Sequence, residues 1–262
     1  MDLNLKDKVV IVTGGAKGIG AGIVKALAAE GAIPVIVGRK ASDNLILLEE
    51  LQKAGNNAMQ VEAELSDPAQ CASAVQQVLA RFERIDGLIN NAGANDGVGL
   101  EHGSYQGFID SLHKNVIHYY LMAQEALPAL KVSKGSIVNI SSKVADTGQG
   151  GTSAYAAANG ARNALTREWA VELLPYGIRV NALIVAECFT PLYQTWINTL
   201  SNPEEKLASI TRMIPLGKRM TTAEEIANTA VFLLSEKSSH TTGQLVYVDG
   251  GYVHLDRSIS NS

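Results

Sequence analysis

Apolar and polar positions fall in blocks along the chain, and the blocks alternate between two kinds. Lys8 to Thr13 is a short, continuous β-branched run, the pattern of a strand buried on both faces. A helical stretch follows to Glu30, with Gly31 as its stop. The alternation then repeats. Ile33 to Val37, Asn57 to Val61, the run opening at Gly87, Ile137 to Ile140 and Gly177 to Ile184 read as strands. Asn44 to Ala54, Pro68 to Phe82, Ser104 to Leu130, Tyr155 to about Leu174 and Leu192 to Met213 read as helical. Alternating strands and helices predict an α/β fold, a doubly wound, Rossmann-type parallel sheet with helices on both faces. No repeat, linker or low-complexity stretch interrupts it, so residues 1–262 are expected to form a single domain.

Chemistry concentrates where strands hand over to helices. Gly14, Gly15, Gly18 and Gly20 stand between the first strand and the first helix, with Ala16, Lys17 and Ile19 among them. Such a run lets backbone N–H groups approach a pyrophosphate seated on a helix N-terminus. After the second strand an acidic residue would bind ribose hydroxyls and select NAD, but the chain reads Gly38-Arg39-Lys40. Arg39 and Lys17 could both reach a 2′-phosphate, which favours NADP and leaves NAD possible. Asp43 stands too late for the acidic role. Ser141 and Ser142 end the strand that begins at Ile137, and Tyr155 opens the next helix after a Gly-rich loop. A serine and a tyrosine at that sheet edge suit proton transfer to a carbonyl or alcohol oxygen. His113 and His118 lack ligand partners at metal spacing and read as helix-face residues, so no metal is expected.

These motifs together resemble the short-chain dehydrogenase/reductase family over nearly the whole chain. The resemblance rests on Thr13-Gly14-x-x-x-Gly18-x-Gly20, Asn90-Asn91-Ala92-Gly93, Ser142 at the family's spacing from Tyr155, and Thr242 to Gly251 as the last strand and tail. It implies a seven-stranded sheet and hydride transfer between a nicotinamide and a carbonyl or alcohol carbon. Ser142, Tyr155, Asn115 and the residue at 159 would be catalytic. Asn91, Ala92, Gly93 and Thr190 would touch the cofactor, and Glu64-Leu65 would stand at its adenine edge. Residues 189–213 would form a substrate lid, and the family's long helices would pair into a homotetramer.

One position departs from the pattern. The family has a lysine four residues after the tyrosine, and this chain has Asn159. A free phenol has a pKa of about 10 and is a poor base at neutral pH. The enzyme either works at a reduced rate, or borrows another cation such as Lys143 or Arg162, or binds cofactor without turnover. The candidate pocket residues Asn95, Asp96, Gln149, Glu187, Tyr193, Gln194 and Trp196 are hydrogen-bonding or aromatic and suit a sugar better than a steroid. Details such as Thr147-Gly148-Gln149-Gly150 and the tail to Arg257 are similar to the family branch that holds bacterial L-fucose dehydrogenases. The expected reaction is oxidation of an L-fucose-like aldose, with reduction of another carbonyl as the alternative.

Composition removes other classes. A net charge of −4 gives no support to nucleic-acid binding. No apolar run nears the ~20 residues of a membrane span, and the charged N-terminus lacks a signal-peptide core, so a cytoplasmic location is expected. Cys71 and Cys188 are expected to be free thiols.

Overall fold

The computed structural model describes residues 2–256. Its strands are β1 (Val9–Thr13), β2 (Ile33–Gly38), β3 (Met59–Glu62), β4 (Gly87–Asn90), β5 (Ser136–Ser142), β6 (Arg179–Val185) and β7 (Leu245–Val248). They form one parallel sheet in the order β3-β2-β1-β4-β5-β6-β7. The order runs one way from β1 and the other way from β4. The two directions part between them, and a crevice opens at the C-terminal ends of these two strands.

Successive side chains of a strand point to opposite faces, and here the two faces feed two cores. Val9 and Ile11 of β1 join Val35 and Val37 of β2 against α3 (Pro68–Phe82), α5 (His118–Ser133) and α6 (Ser153–Glu172). Val10 and Val12 join Ile36 against α1 (Gly18–Ala29), α2 (Ala41–Lys53) and α9 (Ala223–Leu234). Cys71 and Cys188 are buried and free. Among the described residues, no helix is long and apolar enough to cross a membrane.

Two of the helical stretches differ from the sequence expectation. The run from Ser104 to Leu130 is not one helix. It divides into α4 (Tyr105–Leu112), a π-helical turn His113–Ile117, and α5. No Gly or Pro marks the break; one extra residue is accommodated in a widened turn that holds Asn115. Residues 192–213 likewise hold two helices, α7 (Pro191–Ile197) and α8 (Pro203–Arg212), and α8 has no fully buried residue.

His118 opens α5 on its buried face, 1% exposed, its ring edge-on to Tyr119 at 4.8 Å. Burial, reinforced by the nearby Arg162 charge, pushes its pKa down to about 3.

A buried polar joint fixes the middle of the sheet. Asn90 Nδ2 donates to Asn139 Oδ1 at 3.1 Å, and Asn139 Nδ2 donates to Thr166 Oγ1 at 2.9 Å. This couples β4, β5 and α6 side by side. Asn139→Ala would leave Asn90 Nδ2 with only the longer bond to the Tyr119 carbonyl at 3.4 Å and Thr166 without its donor, and is expected to cost about 1–3 kcal/mol, read as a lower urea midpoint; an unchanged midpoint would contradict the joint. His118 gives a pH prediction. The unfolded chain takes up a proton near 6.5 that the folded chain refuses until about 3. Stability should therefore fall as pH drops from 6.5 towards 3, and His118→Gln should flatten that decline in acid unfolding curves.

Candidate active site

The glycine loop leaves β1 and enters α1. Gly14 (φ +62°) and Gly18 (φ +55°) both hold left-handed backbone that disfavours side chains. A Cβ on Gly20 would stand 2.1 Å from the Gly14 carbonyl oxygen. Lys17, at the N-cap of α1, offers no side-chain hydrogen bond to the first turn. The first-turn N–H groups are thus not taken by a capping side chain, and the loop fits an anionic pyrophosphate. Ala16 and Ile19 pack against the core beneath it.

Around this loop the structure gathers several of the predicted residues. Asn91 donates from its backbone N–H to Thr13 Oγ1 at 2.8 Å and from Nδ2 to the Thr13 carbonyl at 2.9 Å, so it ties the ends of β1 and β4. Ala92 donates from its backbone to the same hydroxyl at 3.1 Å. Gly93 follows, exposed. Thr190 caps α7, accepting from Tyr193 N–H at 3.2 Å, and its side chain lies against Gly18.

The end of β2 is differently charged than expected. Lys17 is paired with Asp43 at 2.8 Å, so the acid judged too late in sequence does reach this edge. Arg39 is exposed and has no side-chain partner among the described residues. Glu64 is exposed and accepts from Ser66, while Leu65 is buried beside Cys71.

At the sheet edge Ser142 ends β5, half-buried, and Tyr155 stands in the first turn of α6, also half-buried. The Tyr155 hydroxyl makes no hydrogen bond among the described residues. Asn159 is fully buried. Its Nδ2 donates to the Tyr155 carbonyl at 2.8 Å, and its Oδ1 accepts from Arg162 Nη1 at 2.9 Å. Arg162 Nε donates to the Asn115 carbonyl at 2.7 Å. The Asn115 side chain accepts from Ala94 N–H at 2.8 Å and holds the loop after β4.

Beside Ser142 lies a second charged group. Lys143, 7% exposed, forms a close ion pair with Glu187, which follows β6. The Lys143 ammonium also sits 3.8 Å from the Tyr252 ring centroid, so the C-terminal segment covers the lysine. Tyr193 stands by Glu187. Burial and that carboxylate push its hydroxyl pKa well above the usual range. Trp196, 44% exposed, meets Tyr193 edge to face at 5.1 Å.

The remaining pocket candidates are turned elsewhere or stand at the rim. Asp96 accepts from Ser111 Oγ at 2.9 Å and Lys114 Nζ at 3.1 Å, which directs it towards α4 and the π turn. Asn95 is exposed and accepts from Gly97 N–H. Gln149 and Gln194 are exposed. Tyr252 was not singled out in sequence; its only signal was its place in a family-like tail. Arg257 of that tail lies outside the described residues. Among the described residues no group of His, Cys, Asp and Glu could hold a metal ion.

A crevice at the switch point, an open glycine-rich helix N-terminus, and a serine and tyrosine at the end of β5 and start of α6 define a nucleotide-dependent oxidoreductase site. The chain belongs to the short-chain dehydrogenase/reductase family, and a family model described as enoyl-(acyl carrier protein) reductase matches residues 14–253. It is 34% identical to the L-fucose dehydrogenase of Mus musculus, over 97% of this chain and 92% of that one. It is equally 34% identical to a 3-oxoacyl-(acyl-carrier-protein) reductase of Thermotoga maritima, over 96% and 100%. Among solved structures it is similar to Cj0485 dehydrogenase, with 49% identity, a TM-score of 0.94 and 98% of each chain covered. The family establishes an oxidoreductase of the kind that uses NAD(P); relatives with such different substrates leave the substrate to the site itself.

The glycine loop supplies a direct test. Gly20→Ala drives a methyl group into the Gly14 carbonyl and should weaken NADPH binding by about tenfold or more, read by cofactor fluorescence. Unchanged affinity would remove the loop from the cofactor site.

Proposed function

We propose that this protein is an NADP-preferring dehydrogenase that oxidises a neutral aldose such as L-fucose at its anomeric carbon, giving the lactone. The observation that carries the reading is the Lys143–Glu187 pair directly beside Ser142. Each charge is neutralised by the other, so the pair offers donors and acceptors side by side without a net charge. That suits the adjacent hydroxyls of a sugar better than an anionic or an apolar substrate. Tyr193 and Trp196 add aromatic faces for a pyranose ring. The name L-fucose dehydrogenase borne by similar proteins agrees with this choice.

A bound nicotinamide supplies the acceptor for the hydride lost from the anomeric C–H. The chain's own residues handle the oxygen. Ser142 Oγ hydrogen-bonds the reacting hydroxyl, and Tyr155 Oη takes its proton as the C=O forms. Glu187, kept oriented by Lys143, accepts from the sugar's other hydroxyls. Residues 189–213 act as the lid, consistent with the exposure of α8. The unpartnered Arg39 and the lack of an acid immediately after β2 support NADP, although the Lys17–Asp43 pair leaves room for NAD. Tyr120, Val171 and Leu174 leave apolar surface on and just beyond the long helices, which supports a homotetramer.

Initial rates with L-fucose, L-galactose and D-arabinose, each with NADP and NAD, test the reading. L-fucose turnover with NADP favoured is expected. Glu187→Gln should raise the sugar KM by about tenfold or more, since a hydrogen bond to a charged group is worth roughly 1.5–3 kcal/mol. Turnover of another alcohol class with none of these aldoses would overturn the substrate. Asn159 favours a second reading, a cofactor-binding protein without turnover. It would be upheld if no alcohol or carbonyl reacts while NADPH still binds.

A further inference from the structure

The lysine absent at position 159 leaves the site without its usual cation, yet a cation is there. Tyr155, Asn159 and Arg162 are spaced i, i+4 and i+7 and share one face of α6. Helical side chains lean towards the N-terminus, which carries the Arg162 guanidinium back towards Asn159 and Tyr155. Arg162 is 3% exposed. Its partners are the Asn115 carbonyl at 2.7 Å, the Asn159 amide oxygen at 2.9 Å, the Ile140 carbonyl at 3.1 Å, and the face of Tyr119 at 4.3 Å. Every one of these is neutral, and among the described residues no carboxylate pairs with it.

A buried guanidinium without an anion is costly, so its position calls for a physical reason. Two further observations give it a direction. Its Nη2 is buried and has no hydrogen-bond partner among the described residues. The same Nη2 would stand 2.7 Å from a Cβ on Gly93, the exposed glycine that ends the Asn-Asn-Ala-Gly run at the crevice. The free edge of the guanidinium thus lies directly behind the wall of the proposed cofactor crevice. The π turn explains how it is held there. The widened turn at Asn115 presents a carbonyl to Nε.

We propose that Arg162 is the active-site cation of this enzyme, a positioning residue that acts through Asn159 and the Asn115 carbonyl in place of the family's lysine. The proposal rests on the oxidoreductase reading, not on the choice of sugar. When the substrate hydroxyl yields its proton, Tyr155 is the group that alternates between phenol and phenolate. Arg162 brings a fixed positive charge back along the same helix face, hydrogen-bonded to the Asn159 that holds the Tyr155 carbonyl, and this places it to favour that change. The proton passes from substrate oxygen to Tyr155 Oη and on to solvent, and Arg162 keeps its own protons throughout.

The test uses whichever alcohol the enzyme oxidises fastest, so failure of the sugar assignment leaves it intact. The unaltered protein should approach its plateau rate below pH 9. A rate still climbing about tenfold per pH unit through pH 9, as an unassisted phenol would give, overturns the proposal. Arg162→Gln should cut kcat at pH 7 by about 10- to 100-fold and move the rising limb up by about 1–2 pH units, with the KM for that alcohol little altered. Arg162→Lys, which keeps the charge, should retain the limb of the unaltered protein. Asn159→Lys should raise the neutral-pH rate of the Arg162→Gln variant about tenfold more than it raises that of the unaltered protein, because the two cations serve one purpose. Equal gains in both backgrounds, or a Gln variant with an unshifted limb, overturn it. Cofactor affinity gives a readout free of turnover. Arg162→Gln should favour NADP over NADPH relative to the unaltered protein, since the oxidised nicotinamide is itself cationic. An unchanged ratio counts against Arg162 alone, whereas failure to bind either form overturns the oxidoreductase reading with it.

Discussion

The sheet edge hangs on Asn115. Its amide oxygen holds the backbone of Ala94, so the loop after β4 cannot drift from the helix that follows. Its backbone carbonyl holds Arg162, so the same residue ties α6 to the π turn. Three segments distant in sequence meet through two hydrogen bonds of one residue. The bond to Arg162 is buried and the bond from Ala94 part-buried, and an unmade partner costs most where water is excluded. Losing that anchor would remove the direct tie between the loop after β4, the π turn and α6.

From this anchor the charges of the site take their order. Asn159 is locked between the Tyr155 carbonyl and Arg162, so the residue that replaces a lysine is a bridge between neighbours. On the other side of Ser142, the Lys143–Glu187 pair lies under the Tyr252 ring. The proposed chemistry follows from the contrast between the two. One cation, Arg162, has no counter-ion among the described residues and stands beside Asn159. The other is neutralised and sits where hydroxyls would bind. The Lys17–Asp43 pair repeats the second pattern at the far end of the proposed cofactor path.

Much of this was readable in the chain, and what was not has identifiable causes. Strands such as Val9–Thr13 are buried on both faces, so they announce themselves as unbroken apolar runs. The glycine loop and the serine and tyrosine could be placed because they sit beside such runs. The π turn was hidden because one extra residue in a helix leaves no Gly, Pro or polar punctuation. That His118 faces inwards was not legible either, because its burial depends on what packs against α5. Lys143 and Glu187 are separated by 44 residues, and only the pairing of β5 with β6 brings them together. Asp43 likewise reaches Lys17 through the packing of α2 beside α1, which periodicity cannot report. The direction of Arg162 depended on the presence of a freed carbonyl, so it too was a tertiary fact.

Hydride transfer from a sugar's anomeric carbon in this crevice can be followed by isotope. L-fucose carrying deuterium at C1 would be incubated with the protein and NADP, and the reduced cofactor examined by NMR. The account predicts deuterium at one face of nicotinamide C4, with the lactone as co-product. Reduced cofactor without deuterium, or deuterium retained in an unreacted sugar while another alcohol is consumed, would contradict it.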